Sequence, residues 1–173
     1  MRRTAVRVVS LLVPLFAASS VFAEATATIE KTHLCCNSCV KGVQKAVSSV
    51  DGAKVKCDRE AQTITVTAPD ADTAQKAVDA ILAAGYYGKA SGAALKDDSG
   101  AKAGKSQSVV VSGFHNCCKK CTTALNETIK KVPGATGEVD AKATTVTVTG
   151  DFDPAALVQA FNDAGFHAKI ESK

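Results

Sequence analysis

The chain has 173 residues, enough for one ordinary domain or two small ones, and only 5% are aromatic with no Trp, so any core must be built from Val, Ile, Leu and Ala. Its 21 Lys+Arg and 17 Asp+Glu give a formal net charge of +4, but three of the basic residues, Arg2, Arg3 and Arg7, lie at the extreme N-terminus, and without them the balance is 18 to 17. Such a balance gives little support for a clustered basic face and argues against a nucleic-acid partner.

The three arginines precede an apolar run from Val8 to Ala18, and Val21-Phe22-Ala23 places small residues at a cleavable position. Basic, apolar, small is the layout of a secretory signal peptide. We expect residues 1–23 to be removed between Ala23 and Glu24. The apolar run is shorter than the roughly 20 residues of a spanning helix and Pro14 interrupts it, so no membrane span is expected after cleavage. The expected location is across the inner membrane, periplasmic or extracellular. There thiols tend to be oxidised, and seven cysteines cannot all pair within one chain.

The mature chain then runs through one unit twice. Ala25 to Thr32 is rich in Ala, Thr and Ile and reads as a strand. His33-Leu34-Cys35-Cys36-Asn37-Ser38-Cys39 follows, and Val40, Val43, Val47 and Val50 mark one apolar helix face ended by Gly52. Val55 and Cys57, then Ile64 and Val66, alternate with polar residues as a hairpin. Asp70 or Asp72 caps a second helix, lined by Ala74, Ala77, Val78, Ile81 and Leu82 and ended by Gly85. A short last strand is expected to carry Tyr86. Residues 91–105 are Gly, Ala, Ser, Lys and Asp with Leu95 as the one large apolar residue, the composition of a flexible linker. The second unit repeats the order. Ser106 to Gly113 is the strand. His115-Asn116-Cys117-Cys118-Lys119-Lys120-Cys121 is the loop, 82 residues after the first. Leu125, Ile129 and Val132 line the helix, Val146 and Val148 the hairpin, and Asp153-Pro154 opens the last helix, which ends at Gly165-Phe166. The offset falls from 82 to 80 after the third strand, so one copy has lost two residues.

Strand, helix, strand, strand, helix, strand is the split βαβ order. The expected fold class is α+β: two tandem ferredoxin-like βαββαβ domains, at residues 24–90 and 106–173, each an antiparallel sheet with both helices on one face.

Cysteines three apart across a helix start can aim both sulfurs at one point, and the helix N-terminus favours thiolate, the form that binds metal. Soft sulfur selects Cu(I), Zn(II), Cd(II) or Hg(II). Thiol–disulfide exchange is the competing chemistry, since thioredoxin-like proteins also open a helix with Cys-x-x-Cys. A purely structural disulfide gains little from so short a loop. There is no Ser-His-Asp set, no carboxylate pair placed for acid–base work and no phosphate-binding glycine loop, so a non-catalytic protein is expected. Cys57, whose counterpart is Val139, is expected to be a core thiol, and His167 a solvated strand-end residue.

On these residues each unit resembles the heavy-metal-associated domain family, the fold of copper chaperones and of the periplasmic mercury-binding protein. Cys36/Cys39 and Cys118/Cys121 fall on that family's Cys-x-x-Cys pair, and Gly85-Tyr86 and Gly165-Phe166 resemble its Gly-aromatic step. The resemblance implies a soft-metal carrier, with a membrane metal transporter or another metallochaperone as partner. Two features depart from it. Leu34 and Asn116 stand where the family commonly has Met, and an additional cysteine, Cys35 or Cys117, precedes each pair, with His33 or His115 two residues earlier. Three sulfurs and an imidazole suit tetrahedral Zn(II), while three thiolates suit Cu(I), Cd(II) or Hg(II). The expected cargo is one soft ion per domain, Cu(I) or Zn(II), held by Cys35, Cys36, Cys39 and His33 and by Cys117, Cys118, Cys121 and His115; a further reading is a sensor or adaptor whose two domains close on a shared ion through the flexible linker.

Overall fold

The computed structural model describes residues 24–171. The expected signal peptide and its cleavage point lie outside or at the edge of these residues. The described chain forms two mixed units. In the first, β1 (Ala25–Glu30), α1 (Asn37–Val47), β2 (Lys54–Asp58), β3 (Thr63–Ala68), α2 (Ala71–Ala83) and β4 (Lys89–Ser91) follow one another. The second runs β5 (Ser106–Ser112), α3 (Lys119–Lys130), β6 (Ala135–Thr136), β7 (Thr145–Phe152), α4 (Pro154–Asp163) and β8 (Lys169–Ile170). The sheet orders β2-β3-β1-β4 and β6-β7-β5-β8 are antiparallel throughout. These are two ferredoxin-like units.

The alternation of the strands decides which face is covered. Ile29 pairs with Ile64, and Ala27 with Val66, on the face that the helices bury, while Thr63, Thr65 and Thr67 point the other way. Val43 and Val47 of α1 and Ala74, Ala77, Val78 and Ile81 of α2 complete that core. In the second unit Val111 pairs with Val146 under Leu125, Ile129, Leu157 and Phe161. Each Val, Leu, Ile or Phe side chain taken fully out of water contributes about 1.5–3 kcal/mol. Asp70 and Asp153 cap α2 and α4 through their carboxylates, on the backbone N–H groups of Thr73 and Ala155. The two-residue shortening falls at the strand–helix junction: β7 continues to Phe152, and α4 has 10 residues where α2 has 13.

The connecting segment departs from the expected flexible linker. Gln75 of α2 holds Ala94 by a pair of hydrogen bonds, Lys96 pairs with Asp79, and Ile170 donates its N–H to Ser99 O. Asp98 bridges Lys169 and His167. The segment's few polar side chains thus anchor it, although its composition builds no core. His167 is correspondingly not the expected solvated residue: it is buried, with Nε2–H donating to Asp98 Oδ1 at 2.7 Å. Cys57 is half-buried on β2 rather than within the core, and burial pushes its thiol up to about 11. Tyr86 and Phe166 belong to neither last strand; they form an isolated antiparallel bridge to each other, across the two units.

Asp98→Ala leaves the buried His167 Nε2 without its acceptor, so a loss of about 1–2 kcal/mol in denaturant-measured stability is expected. Burial pushes the Asp98 carboxyl up, but Lys169 and His167 outweigh it and hold the carboxyl below its ordinary value. Its contribution is therefore present above the ordinary aspartate range and is lost as pH falls through the lowered value. The gap between parent and variant should be widest near neutrality and close in acid; a gap independent of pH would contradict this account.

Candidate metal centre

Both cysteine loops enter a helix in the same way. Cys36 is the N-cap of α1 and Cys118 the N-cap of α3, each in extended conformation and without a side-chain cap. The N-cap carbonyls accept the first helical bonds, from Cys39 N–H at 3.1 Å and from Thr122 N–H at 3.1 Å. Cys39 and Cys121, one turn in, are fully buried, while Cys35, Cys36, Cys117 and Cys118 are half-exposed. No acidic residue occupies the first turn of either helix, so the positive ends of two helix dipoles face the sulfurs unopposed.

The loops are anchored differently. Leu34 is buried in the core, whereas Asn116 donates from Nδ2 to Asp140 O and Ala143 O and accepts from Thr122 Oγ1. Arg59 reaches from the hairpin to Asn37 Oδ1 and Cys35 O. Lys119 and Lys120 are exposed.

The main finding is that the two loops meet. Across the units, Cys39 Sγ lies 3.4 Å from Cys117 Sγ, Cys35 Sγ lies 3.5 Å from both Cys118 and Cys121, and Cys36 Sγ lies 3.7 Å from Cys118. Within a loop the nearest sulfurs are 3.7–3.8 Å apart. The donors expected to form two separate sets thus form one. The histidines follow suit. His115 shares a group with Cys39 and Cys121, and His33 with Cys35 and Cys121, all donor atoms within 4.8 Å of one another. His115 Nδ1–H donates to Gly85 O at 2.8 Å, which leaves Nε2 buried and unpaired; His33 Nε2 is also buried and unpaired. All eight sequence-predicted residues therefore come together.

A near-symmetric set of bonds holds the units in contact. Gly165 O accepts from His33 N–H (3.3 Å) and Tyr87 N–H (3.2 Å); Gly85 O accepts from His115 N–H (3.3 Å) and His167 N–H (3.2 Å). His115 stacks on Tyr86 of the other unit with centroids 4.0 Å apart, and His33 on Phe166 at 4.4 Å. Tyr86 O–H donates to Cys39 O. In sequence the two glycines read only as helix stops. Here they also let the units approach: a Cβ on Gly85 would sit 2.2 Å from His115 N, and one on Gly165 2.3 Å from His33 N.

Burial raises Cys35 and pushes Cys117 up to about 12, because a lone thiolate there loses hydration. Cys39 and Cys121 share one proton: the hydrogen bond from the Cys121 thiol pulls Cys39 down, and its thiolate raises Cys121. Burial opposes ionisation of Cys118, yet the Cys121 N–H and the neighbouring sulfurs bring it to about 7. Burial, then the nearby His115, lowers His33 to about 4, so its ring is a neutral donor at physiological pH. The buried sulfurs and unpaired imidazole nitrogens, with opposing helix ends, fit a soft cation and leave little room for a hard oxygen-seeking one.

Residues 117–167 match the model of the heavy-metal-associated domain. No curated protein matches the chain. Among solved structures, the first two RRM domains of yeast poly(U) binding protein (Pub1) align over 86% of this chain and 99% of that one, with 13% identity and a TM-score of 0.25.

Gly85→Ala combined with Gly165→Ala should force the units apart, because each new methyl meets the backbone of the other unit. Small-angle scattering should report a larger radius of gyration, and short bifunctional thiol reagents should no longer link the two loops. An unchanged radius would show that these contacts do not set the arrangement.

Proposed function

We propose, from the match of residues 117–167 to the heavy-metal-associated domain model, that the whole chain is a soft-metal-binding protein whose two units close on a shared thiolate site. The observation that carries this is the meeting of Cys35, Cys36 and Cys39 with Cys117, Cys118 and Cys121. We read the first unit as a second heavy-metal-associated copy, on the strength of its matching element order and its loop at the same place. The eight Cys and His side chains are its ligands, Cu(I), Zn(II), Cd(II) or Hg(II) its cargo, and the task is sequestration or delivery outside the cytoplasm rather than catalysis. Described residues include no helix long and apolar enough to cross a membrane.

Exposure suggests how cargo leaves. Partner thiolates, on a transporter or another metallochaperone, would reach the half-exposed Cys35, Cys36, Cys117 and Cys118 first, and the buried Cys39 and Cys121 last. Each step exchanges one sulfur for another, so the ion is never released to water. Thiol–disulfide exchange is the second reading, favoured by the half-exposed Cys118 thiol at about 7.

Anaerobic competition against a chromogenic chelator distinguishes them. Tight Cu(I) or Zn(II) binding is expected, weakened by more than about 100-fold in Cys39→Ser/Cys121→Ser, since even supporting residues of such sites contribute 10–100-fold. Metal-independent turnover of a disulfide substrate, with no retained metal, would instead establish the redox reading.

A further inference from the structure

The six sulfurs have a regular arrangement. Ten separations of 3.4–3.9 Å, with Cys35–Cys36 and Cys117–Cys118 each within 4.8 Å, make the twelve edges of an octahedron in which Cys35 stands opposite Cys117, Cys36 opposite Cys121, and Cys39 opposite Cys118. The eight faces fall into two sets of four alternate faces, both compact, and one set contains Cys35/Cys36/Cys118, Cys36/Cys39/Cys117 and Cys117/Cys118/Cys121. No two of them share an edge, so they are alternate faces. The fourth face of that set is Cys35/Cys39/Cys121, with edges of 3.7, 3.5 and 3.9 Å. It is the face on which His33 and His115 converge. Every sulfur belongs to two of the four faces.

We propose that this chain holds a four-metal cluster, with one ion on each of these four faces and every cysteine bridging two ions, an assignment that rests on the soft-metal reading above. The dimensions agree. An ion about 2.3 Å from three sulfurs sets sulfur–sulfur edges of about 4.0 Å, so the observed octahedron needs to expand only slightly. Charge selects the ion. Four monovalent ions and six thiolates carry a net charge of −2; four divalent ions would leave +2. Two helix N-termini, each worth about +0.5 charge, face the site, neither has an acidic residue in its first turn, and the Arg59 guanidinium sits on the loop carbonyl of Cys35. This surrounding favours the dianion, and so Cu(I). Each thiol gives its proton to solvent as copper binds, and copper stays monovalent throughout. His33 and His115 converge on the edges of the fourth face, so one imidazole can complete the coordination of the ion there.

Native mass spectrometry of the full chain during anaerobic Cu(I) titration tests this. Four copper ions per monomer are expected, with the four-copper species appearing at the expense of intermediates. X-ray absorption should add a short copper–copper vector to trigonal sulfur coordination. Cys117→Ser removes a bridge from two faces and should reduce the count to two or fewer, whereas Cys57→Ser, outside the octahedron, should keep four. Circular dichroism of the apo variants checks their folding. Saturation at one or two ions with no copper–copper vector would overturn the cluster and leave soft-metal binding standing. Failure to bind Cu(I), Zn(II) or Cd(II) at all would overturn both.

Discussion

Two glycine carbonyls carry the arrangement on which the rest depends. Gly85 O and Gly165 O lie at the ends of α2 and α4, where a helix leaves its last carbonyls without internal partners. Each accepts N–H groups from the other unit, one of them from the residue that begins the cysteine loop. The helix end, the interface and the loop are therefore tied at one atom on each side. A ferredoxin-like unit with its own loop at its own edge presents three sulfurs to solvent. Two units docked through these carbonyls turn the loops inward and put six sulfurs within reach of one another. The positive φ of both glycines, 92° and 84°, permits the turn, and the absence of a side chain permits the approach.

Docking also changes what the sulfurs are. Burial makes Cys35 and Cys117 hold their protons more firmly than free thiols, and the hydrogen bond with Cys39, then burial, does so at Cys121, while hydrogen bonds from neighbouring side chains and backbone N–H groups favour ionisation at Cys39 and Cys118. The six sulfurs are a set of thiols and thiolates sharing protons in a confined space. A cation that replaces those protons relieves like-charge repulsion and desolvation together. The aromatic floor of Tyr86 and Phe166, stacked on His115 and His33, keeps water from the inner side.

Much of this was legible in the residues. Periodicity placed the helices and strands, and the spacing of Cys36/Cys39 and Cys118/Cys121 located the helix starts, because both follow from local geometry. What was not legible depends on which surfaces meet. A repeat in sequence says nothing about how its copies dock, so the residues alone left open whether the two loops form separate sites or a shared one. Gly85 and Gly165 signalled a helix stop and concealed an interface, since one residue serves both. His167 looked solvated because its partner, Asp98, lies far away in chain order. Arg59 gave no local signal, and its bonds to Asn37 and Cys35 come from the hairpin folding back over the loop.

The connecting segment, anchored through Gln75, Asp79 and Asp98, has a consequence for dilution. Two separate chains sharing one site would assemble in proportion to their concentration and would part when scarce. Here both halves belong to one molecule, and each experiences the other at a fixed effective concentration of the order of millimolar or above. Completion of the site is thus independent of how many copies of the chain are present, and one molecule suffices to bring both loops together.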